Sequence, residues 1–136
     1  MKLTKIHNLP EKEILRHVLK SDIADIYFYT NIVVVEAFEG VTLSYKTAFS
    51  VLLKSLQLFG IKPCIYIANR VNSYSVNPND YKYLNKINTL KGIAIVTQLE
   101  EARNNAELER KFSKKPFEIF ENIEEAYKWG INILNK

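Results

Sequence analysis

The sequence has little cysteine, glycine or proline, and it lacks a long hydrophobic run. Its 136 residues include one cysteine, four glycines and four prolines. A single cysteine cannot form an internal disulfide, which excludes the disulfide-stabilised class of small secreted domains. No stretch approaches the roughly 18 apolar residues of a membrane span, and residues 1–7 lack the apolar core of a secretory signal. We therefore expect a cytoplasmic protein without a membrane span.

The composition is that of an ordinary folded domain. Hydrophobic residues make up 47% of the chain and charged residues 25%, which is typical of soluble globular proteins and too apolar for a disordered chain. At this length the chain can bury one hydrophobic core. We therefore expect a single domain over residues 1–136.

The net charge of +4 raises the question of nucleic-acid binding, and the distribution of the charge argues against it. The densest basic cluster follows directly on an acidic one: Glu100, Glu101, Glu107 and Glu109, then Arg110, Lys111, Lys114 and Lys115. Negative charge near the start of a helix and positive charge near its end is favoured by the helix dipole. A solvated helix face explains the pattern, so we expect no nucleic-acid partner.

The apolar periodicity alternates between strands and helices. Residues 26–29 and 32–38 are strand candidates separated by Thr30 and Asn31, a spacing typical of a tight hairpin. A helix is predicted after Gly40, capped by Thr42 and ending at Gly60. Its apolar stripe follows steps of three and four residues: Tyr45, Ala48, Phe49, Leu52, Leu56 and Phe59.

The second half of the chain continues the alternation. Short apolar runs predict buried strands, and capping patterns predict the starts of helices. The predicted elements are strands at 64–68 and 92–96, a helix opening at Pro78 with Asn77 as its cap, a helix at 100–112, an edge strand at 117–120 and a final helix that opens at residues 122–125. The order predicts an α/β domain with parallel crossovers. Residues 8–20 fit either a helix or an edge strand, and we favour extended structure.

The junction between strand 64–68 and the polar loop 69–79 is the predicted site. The crevice beyond the carboxyl end of a buried strand is where open α/β sheets bind ligands. The loop offers amides, hydroxyls and one guanidinium, which suit binding better than catalysis. The candidate ligand- or partner-binding residues are Asn69, Arg70, Asn72, Ser73, Tyr74 and Ser75. Arg70 could clamp a phosphate or carboxylate, or it could form an ion pair with a neighbouring helix.

Other reactive residue types are predicted to play no catalytic part. His7 and His17 have no further ligands at metal spacing, so we interpret them as surface histidines and expect neither metal nor cofactor. Cys64 is predicted to be a packed core thiol. Glu36 and Glu39 are interpreted as solvated strand-end residues. No nucleophile and base can be paired, so we expect a protein that is not an enzyme.

Three stretches are notable for their order and spacing. They are residues 33–40 followed by Thr42, residues 65–69, and residues 117–120 followed by 123–126. Together they resemble SpoIIAA-like domains of the STAS family, the anti-sigma-factor antagonists, from the hairpin onward. The chain looks most similar to the STAS/SEC14-like proteins of unknown function. The resemblance implies a mixed sheet with an N-terminal β-hairpin followed by alternating helices and strands, with the helices mainly on one face.

The chain departs from the antagonists where their phosphorylatable serine stands. In that family the serine lies just after the central strand, in an Asp-Ser-Ser-Gly type of turn. Here the stretch contains Ser73 and Ser75, and residues 77–80 read Asn-Pro-Asn-Asp at the helix start. If this chain has a phosphorylation switch, its site is Ser73 or Ser75, and that serine is displaced from the position of the family's serine.

Two functions from different classes remain. The resemblance implies a non-enzymatic regulatory or protein-interaction module that binds a partner through the loop after the central strand. The resemblance to SEC14-like proteins implies the alternative, a small-molecule binding protein for a lipid or apolar anion, with Arg70 as its polar anchor. A small-molecule binder needs an enclosed pocket of about 300 Å³ or more, whereas an interaction module needs a convex apolar patch. A homodimer stays an open alternative.

Overall fold

The computed structural model of the protein describes residues 7–44, 54 and 57–136. The strands in this part are β1 (His17–Lys20), β2 (Ala24–Phe28), β3 (Ile32–Ala37), β4 (Thr42–Leu43), β5 (Cys64–Asn69), β6 (Ser75–Val76), β7 (Leu90–Val96) and β8 (Phe117–Phe120). The helices are a 3₁₀ turn (Pro78–Asp80) that continues into α1 (Tyr81–Leu84), then α2 (Glu100–Arg110) and α3 (Ile123–Leu134). Lys54 and residues 57–59 are also helical.

Six of the strands form one mixed sheet in the order β1-β2-β3-β5-β7-β8. The first three strands are antiparallel neighbours, and β3, β5, β7 and β8 run parallel. The β2–β3 turn is tight, since the Tyr29 N–H donates to the Ile32 carbonyl at 2.8 Å. Asn31 takes a positive φ of 61° there, which asparagine tolerates better than most residues. The predicted hairpin is confirmed.

The sheet is covered on both faces. Side chains of β5 alternate, so that Ile65 and Ile67 point to one face and Ala68 to the other. Helix α3 and the segment before β1 cover the first face, where Leu9 and Leu15 are buried. Helices α1 and α2 and the helical residue Phe59 cover the second face. The α/β fold class is confirmed, with three helical segments on one face and α3 opposite.

Helix α3 approaches the sheet closely because glycine stands on both sides of the contact. A Cβ atom added to Gly130 would lie 3.1 Å from Ile65 Cγ2, and one added to Gly92 would lie 3.1 Å from Ile133 Cδ1. These distances are shorter than ordinary van der Waals contact. The two glycines therefore let α3 pack directly on β5 and β7.

One predicted boundary is wrong. Thr42 does not cap a helix but lies in β4, which pairs in parallel with β6 in a separate two-stranded sheet. The physical reason is that the backbone of the loop after β5 needs partners: Ser75 N–H donates to Val41 O at 2.9 Å and Asn77 N–H to Leu43 O at 3.3 Å. The predicted stripe from Tyr45 to Leu56 lies outside the described residues.

The segment at residues 8–20 is resolved in favour of extended structure. Residues 17–20 form the edge strand β1, which pairs antiparallel with β2. Residues 8–16 cross the face of the sheet without regular structure, and Glu13 is buried there. Its carboxylate accepts hydrogen bonds from Tyr127 Oη at 2.6 Å and Thr30 N–H at 3.2 Å. The segment thus joins the hairpin to α3.

Most of the remaining predicted elements are confirmed. Asn77 caps the 3₁₀ turn by accepting from Asn79 N–H at 3.1 Å, and Asn122 caps α3 by accepting from Glu125 N–H at 2.9 Å. Strands β5 and β7 are buried, and β8 is the edge strand expected from the sequence. Cys64 is buried as predicted. Among the helices of the described residues, none combines the length and apolar composition that crossing a membrane would require.

Candidate functional site

The predicted site lies where β5 ends, at the edge of the sheet where the carboxyl ends of the parallel strands β3, β5, β7 and β8 meet. We call this edge the carboxyl edge. Asn69 is the last residue of β5 and Arg70 is the next residue. Because strand side chains alternate, the Asn69 side chain joins the face covered by α3, and the Arg70 side chain joins the face covered by α2. The two neighbours therefore enter different polar networks.

Arg70 forms a buried bidentate ion pair with Glu109 of α2. Its Nη1 donates to Glu109 Oε2 at 2.7 Å, and its Nη2 donates to Oε1 at 2.6 Å. The side chains are only 6% and 4% exposed. Burial disfavours the charged guanidinium, but the hydrogen bonds and charge of Glu109 outweigh it and raise the pKa of Arg70 above its ordinary value. Arg70 is thus permanently charged and fully engaged at both terminal nitrogens.

Two tyrosines complete this network. The Tyr81 hydroxyl donates to Glu109 Oε1 at 2.7 Å, and burial together with the Glu109 charge raises the pKa of Tyr81. The Arg70 guanidinium carbon lies 5.4 Å from the centroid of the Tyr74 ring, a cation–π contact. Within the part of the chain that the structure describes, Tyr74 Oη and Arg70 Nε are buried without a hydrogen-bond partner. The cluster is therefore tightly packed, and two of its buried polar atoms lack a hydrogen bond to any described residue.

Of the two interpretations of Arg70 that the sequence left open, the ion pair with a neighbouring helix is the one present. Its partner was missed, because Glu109 was assigned to a solvated helix face and is in fact 3% exposed. A signal was available in the helical spacing. Glu109 follows Ala106 by three residues, so both lie on the side of α2 that faces the sheet.

Asn69 enters a second network with residues far away in the sequence. Its Nδ2 donates to Glu36 Oε2 at 2.8 Å, and His7 Nε2 lies 2.6 Å from the same oxygen. His7 Nδ1 lies 2.7 Å from Tyr29 Oη. Since a carboxylate only accepts hydrogen bonds, Nε2 donates to Glu36. With a neutral ring, Nδ1 then accepts a hydrogen bond from the Tyr29 hydroxyl.

The interpretation of His7 and Glu36 as solvated side chains is wrong. Their side chains are 6% and 19% exposed. Burial alone would raise the pKa of Glu36, but hydrogen bonds from His7 and Asn69 outweigh burial and hold the pKa below its ordinary value. The sequence signal for Glu36 was its place on β3, two residues after the buried Val34 and therefore on the same face. The His7 contact had no local signal, because 29 residues separate it from Glu36.

The loop after Arg70 is fixed to the loop after β3 by its backbone. Ser73 N–H donates to the Glu39 carboxylate at 2.8 Å, and the Ser73 carbonyl accepts from Gly40 N–H at 2.8 Å. Asn72 Nδ2 donates to the Ala37 carbonyl at 3.1 Å. Strand β6 then pairs with β4. The loop is therefore a short extended segment with a defined conformation.

Exposure alternates strictly along this segment. The part-buried positions are Asn72, Tyr74, Val76 and Pro78, and the exposed positions between and around them are Val71, Ser73, Ser75, Asn77 and Asn79. We call the five exposed residues the exposed row. Of the six predicted site residues, Ser73 and Ser75 lie in this row. Arg70 and Tyr74 contact each other beneath the row, and Asn72 fixes the row through its hydrogen bond to the Ala37 carbonyl. Asn69 lies on the opposite face of the sheet.

A crevice lies along the carboxyl edge, and none of its lining residues was among the predicted site residues. It has a volume of about 380 Å³ and is open to solvent. Its lining comes from the ends of β7 and β8 and the first turn of α2: Thr97, Gln98, Leu99, Glu100, Arg103 and Glu121. The Arg70 N–H donates to Val96 O at 2.8 Å, so the chain entering the exposed row passes beside this crevice. No three His, Cys, Asp or Glu side chains of the described residues group as metal ligands would.

Comparison with known proteins identifies the fold. No protein-family model matches the chain, and no curated protein matches it. A solved structure that matches is the 2.25 Å crystal structure of an uncharacterized protein from the DUF3478 family with a SpoIIAA-like fold, from Shewanella loihica PV-4. The two are 14% identical, and the match covers 95% of this chain and 98% of that chain with a TM-score of 0.52. The chain therefore has the SpoIIAA-like fold that the order of its sequence motifs predicted.

Proposed function

We propose that residues 1–136 act as one non-enzymatic regulatory module that binds a protein partner through the exposed row. The observation that carries this proposal is the conformation of the row itself. Backbone hydrogen bonds and the β4–β6 pair hold it extended, with alternate side chains presented to solvent. A binding segment that is already ordered loses little conformational entropy when a partner docks, which favours recognition.

The chemistry of the row suits a protein partner. Val71 is 60% exposed and offers an apolar contact at one end. Ser73 and Ser75 each present a hydroxyl that makes no hydrogen bond to another described residue, and a partner can use both as donors and acceptors. Leu99, 49% exposed in the adjoining crevice, extends the apolar contact. Apolar contacts beside paired polar groups are typical of protein interfaces.

The groups that could perform chemistry near the row are engaged with one another, which supports a binding role. Glu109 holds Arg70 and Tyr81, and Glu36 is held by His7 and Asn69. The Cys64 thiol is buried, and burial raises its pKa to about 11, so the reactive thiolate is disfavoured at neutral pH.

Site-specific photo-crosslinking in cells that express the chain tests this proposal. A photoreactive amino acid at Ser75 should crosslink a partner, whereas the same amino acid at Lys128, exposed on α3, should not. The purified partner should then bind wild type at least about tenfold more tightly than Val71→Asp, since that change places an unpaired charge in the interface.

A matched substitution separates the row from the rest of the surface. Leu108→Asp changes a side chain that is 55% exposed on α2, outside the row, and it should leave the affinity unchanged. The double variant Ser73→Ala with Ser75→Ala should weaken binding without a change in melting temperature. Equal crosslinking from Ser75 and Lys128, or equal affinity of wild type and Val71→Asp, contradicts the proposal.

The open crevice supports a second candidate, the binding of a small molecule. Its volume of about 380 Å³ exceeds the roughly 300 Å³ that a small-molecule binder needs, but the crevice is open to solvent and not enclosed. Its lining holds one guanidinium, Arg103, and two carboxylates, Glu100 and Glu121, which makes an apolar anion a poor match. Native mass spectrometry of the purified protein distinguishes the two candidates. A bound mass that disappears on denaturation supports the second candidate, and the same spectrum reports whether the chain is a monomer or a homodimer.

A further inference from the structure

The loops before β5, β7 and β8 carry positively charged side chains and no negatively charged ones. Because these strands are parallel, three loops meet at the edge of the sheet opposite the carboxyl edge: residues 60–63, residues 85–91, which include the first two residues of β7, and residues 111–116. They contain no aspartate or glutamate and six lysines: Lys62, Lys86, Lys91, Lys111, Lys114 and Lys115. We call these three loops the basic edge.

Hydrogen bonds hold the three loops together as one surface. Asn85 Oδ1 accepts from Lys114 N–H at 2.8 Å, and Asn85 Nδ2 donates to Phe112 O at 3.0 Å. Lys115 Nζ donates to Ile87 O at 2.6 Å. The loop before β5 is joined by the Cys64 N–H, which donates to Thr89 O at 2.8 Å. The backbones that carry the lysines therefore keep a fixed arrangement.

The lysines of this edge lack acidic partners. None of the six forms an ion pair with an acidic side chain of the described part of the chain. Lys115 is close enough to Lys91 that their repulsion adds to the effect of burial and lowers the pKa of Lys115. Uncompensated like charges held side by side oppose folding. An anionic partner is the natural counterpart of such a surface.

Two apolar side chains protrude from the same loops. Ile61 is 93% exposed and Phe112 is 44% exposed. An isoleucine with nearly its whole side chain in water, next to Lys62 and Pro63 in a turn, makes almost no contribution to the folded core. Apolar side chains next to lysines are the pattern of surfaces that lie in a membrane interface.

We propose that the basic edge docks on an anionic lipid surface, with the lysines at the headgroups and Ile61 inserted between them. Lysine is depleted in protein interfaces, where arginine and aromatic residues are favoured. The edge also lacks arginine, the residue that most often reads bases through bidentate contacts. Docking on an anionic lipid surface requires only positive charge and an apolar side chain that inserts, and the basic edge supplies both.

The proposed orientation leaves the opposite side of the molecule free. The loops after β3 and β8 and the first turn of α2 carry exposed carboxylates, which an anionic surface repels: Glu39, Glu121, Glu100 and Glu101. The exposed row lies with them at the carboxyl edge. Docking through the basic edge would therefore turn the exposed row away from the membrane. The inference does not depend on the proposed protein partner, since it rests on different loops.

Vesicle co-sedimentation of the purified chain tests the inference. The protein should sediment with vesicles of phosphatidylcholine and phosphatidylserine, should not sediment with phosphatidylcholine alone, and should be released by salt. The triple variant Lys62→Gln, Lys91→Gln and Lys114→Gln should partition about a hundredfold less, because each lysine at an anionic surface contributes about a factor of five. Lys115 is left unchanged because its ammonium group bonds to Ile87.

A charge-matched control is available elsewhere on the surface. The triple variant Lys20→Gln, Lys82→Gln and Lys128→Gln alters three exposed lysines outside the basic edge and lowers the net charge by the same amount. It should partition like wild type to within a few fold. Ile61→Asn should weaken vesicle binding several-fold at an unchanged melting temperature.

The results that overturn the inference are distinct. Sedimentation that is equal with neutral and anionic vesicles, or absent with both, contradicts it. So does an equal loss of binding in the two triple variants, which would reflect net charge without a defined surface. Binding to a random DNA duplex in the absence of vesicle binding would assign the basic edge to nucleic acid.

Discussion

Arg70 and Glu109, which are 39 residues apart in the sequence, form a bidentate ion pair beneath the exposed row, with donor–acceptor distances of 2.7 and 2.6 Å. Each side chain supplies the counter-charge for the other, and without it a charged group would be buried unpaired. The pair joins the end of β5 to α2, and through Tyr81 it also fixes α1. The conformation of the proposed binding segment therefore depends on a polar contact in the core of the protein.

Glu109→Ala should lower the free energy of unfolding by about 3 to 5 kcal/mol, because it leaves the buried Arg70 guanidinium without a counter-charge. Urea denaturation followed by circular dichroism measures this change. Glu107→Ala is the matched control, since Glu107 is 51% exposed and pairs with Arg110 at the surface. Its effect should stay within about 1 kcal/mol. Similar losses in both variants would mean that burial does not decide the strength of the pair.

Two neighbouring tyrosines should respond in opposite ways to loss of their hydroxyl. Tyr81→Phe removes the hydrogen bond to Glu109 and should lower the free energy of unfolding by about 1.5 to 3 kcal/mol, the range for bonds to charged groups. Tyr74→Phe removes a buried hydroxyl without a hydrogen-bond partner among the described residues and should leave stability unchanged or slightly higher. The same denaturation experiment compares them. A larger loss for Tyr74→Phe than for Tyr81→Phe would show that the Tyr74 hydroxyl has a partner in solution.

The sequence was most informative where local patterns decide structure. The periodicity around Ile67 and Ile93 predicted buried strands, and the caps at Asn77 and Asn122 marked the starts of helices within a residue. These features depend on neighbours in the chain. The short strand β4 was missed at Thr42, because it exists only to pair with β6, 33 positions farther along.

The place of the candidate site in the fold could be predicted from the sequence, but the contacts between its side chains could not. The position of Arg70 after a buried strand placed this residue at the carboxyl edge, and the ion pair was one of two stated alternatives. Which carboxylate it used depended on how α2 packs on the sheet, which a helical repeat alone does not determine. The contact of His7 with Glu36 is harder still, because it joins an irregular segment to a strand.

The centre of the sheet offers a sharp test of the fold. Ile67 on β5 is fully buried, with no exposed surface. Ile67→Asp places an unpaired carboxylate there and should lower the free energy of unfolding by at least about 4 kcal/mol, a large share of the roughly 5 to 15 kcal/mol that stabilises a typical domain. Ile61→Asp is the control, because that side chain is 93% exposed and should tolerate the charge. An Ile67→Asp protein whose free energy of unfolding stays within about 1 kcal/mol of wild type would contradict the placement of β5.

Glu36 should make stability depend on pH in a specific direction. Its folded-state pKa lies below the ordinary value of 4.5, because the hydrogen bonds from His7 and Asn69 outweigh the effect of burial. A carboxylate with a lowered pKa stabilises the folded state fully above the ordinary pKa, and this contribution disappears as the pH falls through the folded-state pKa. The stabilisation is therefore present at neutral pH and absent in strong acid.

Glu36→Gln should accordingly be less stable than wild type at neutral pH, and the difference should persist to about pH 5 and then shrink in more acidic solution. Urea denaturation at a series of pH values measures the difference directly. Glu101→Gln, an exposed change on α2, should show no such dependence. If the difference between wild type and Glu36→Gln instead grows as the pH falls below the ordinary carboxyl pKa, the network of His7 and Asn69 does not stabilise the ionised carboxylate.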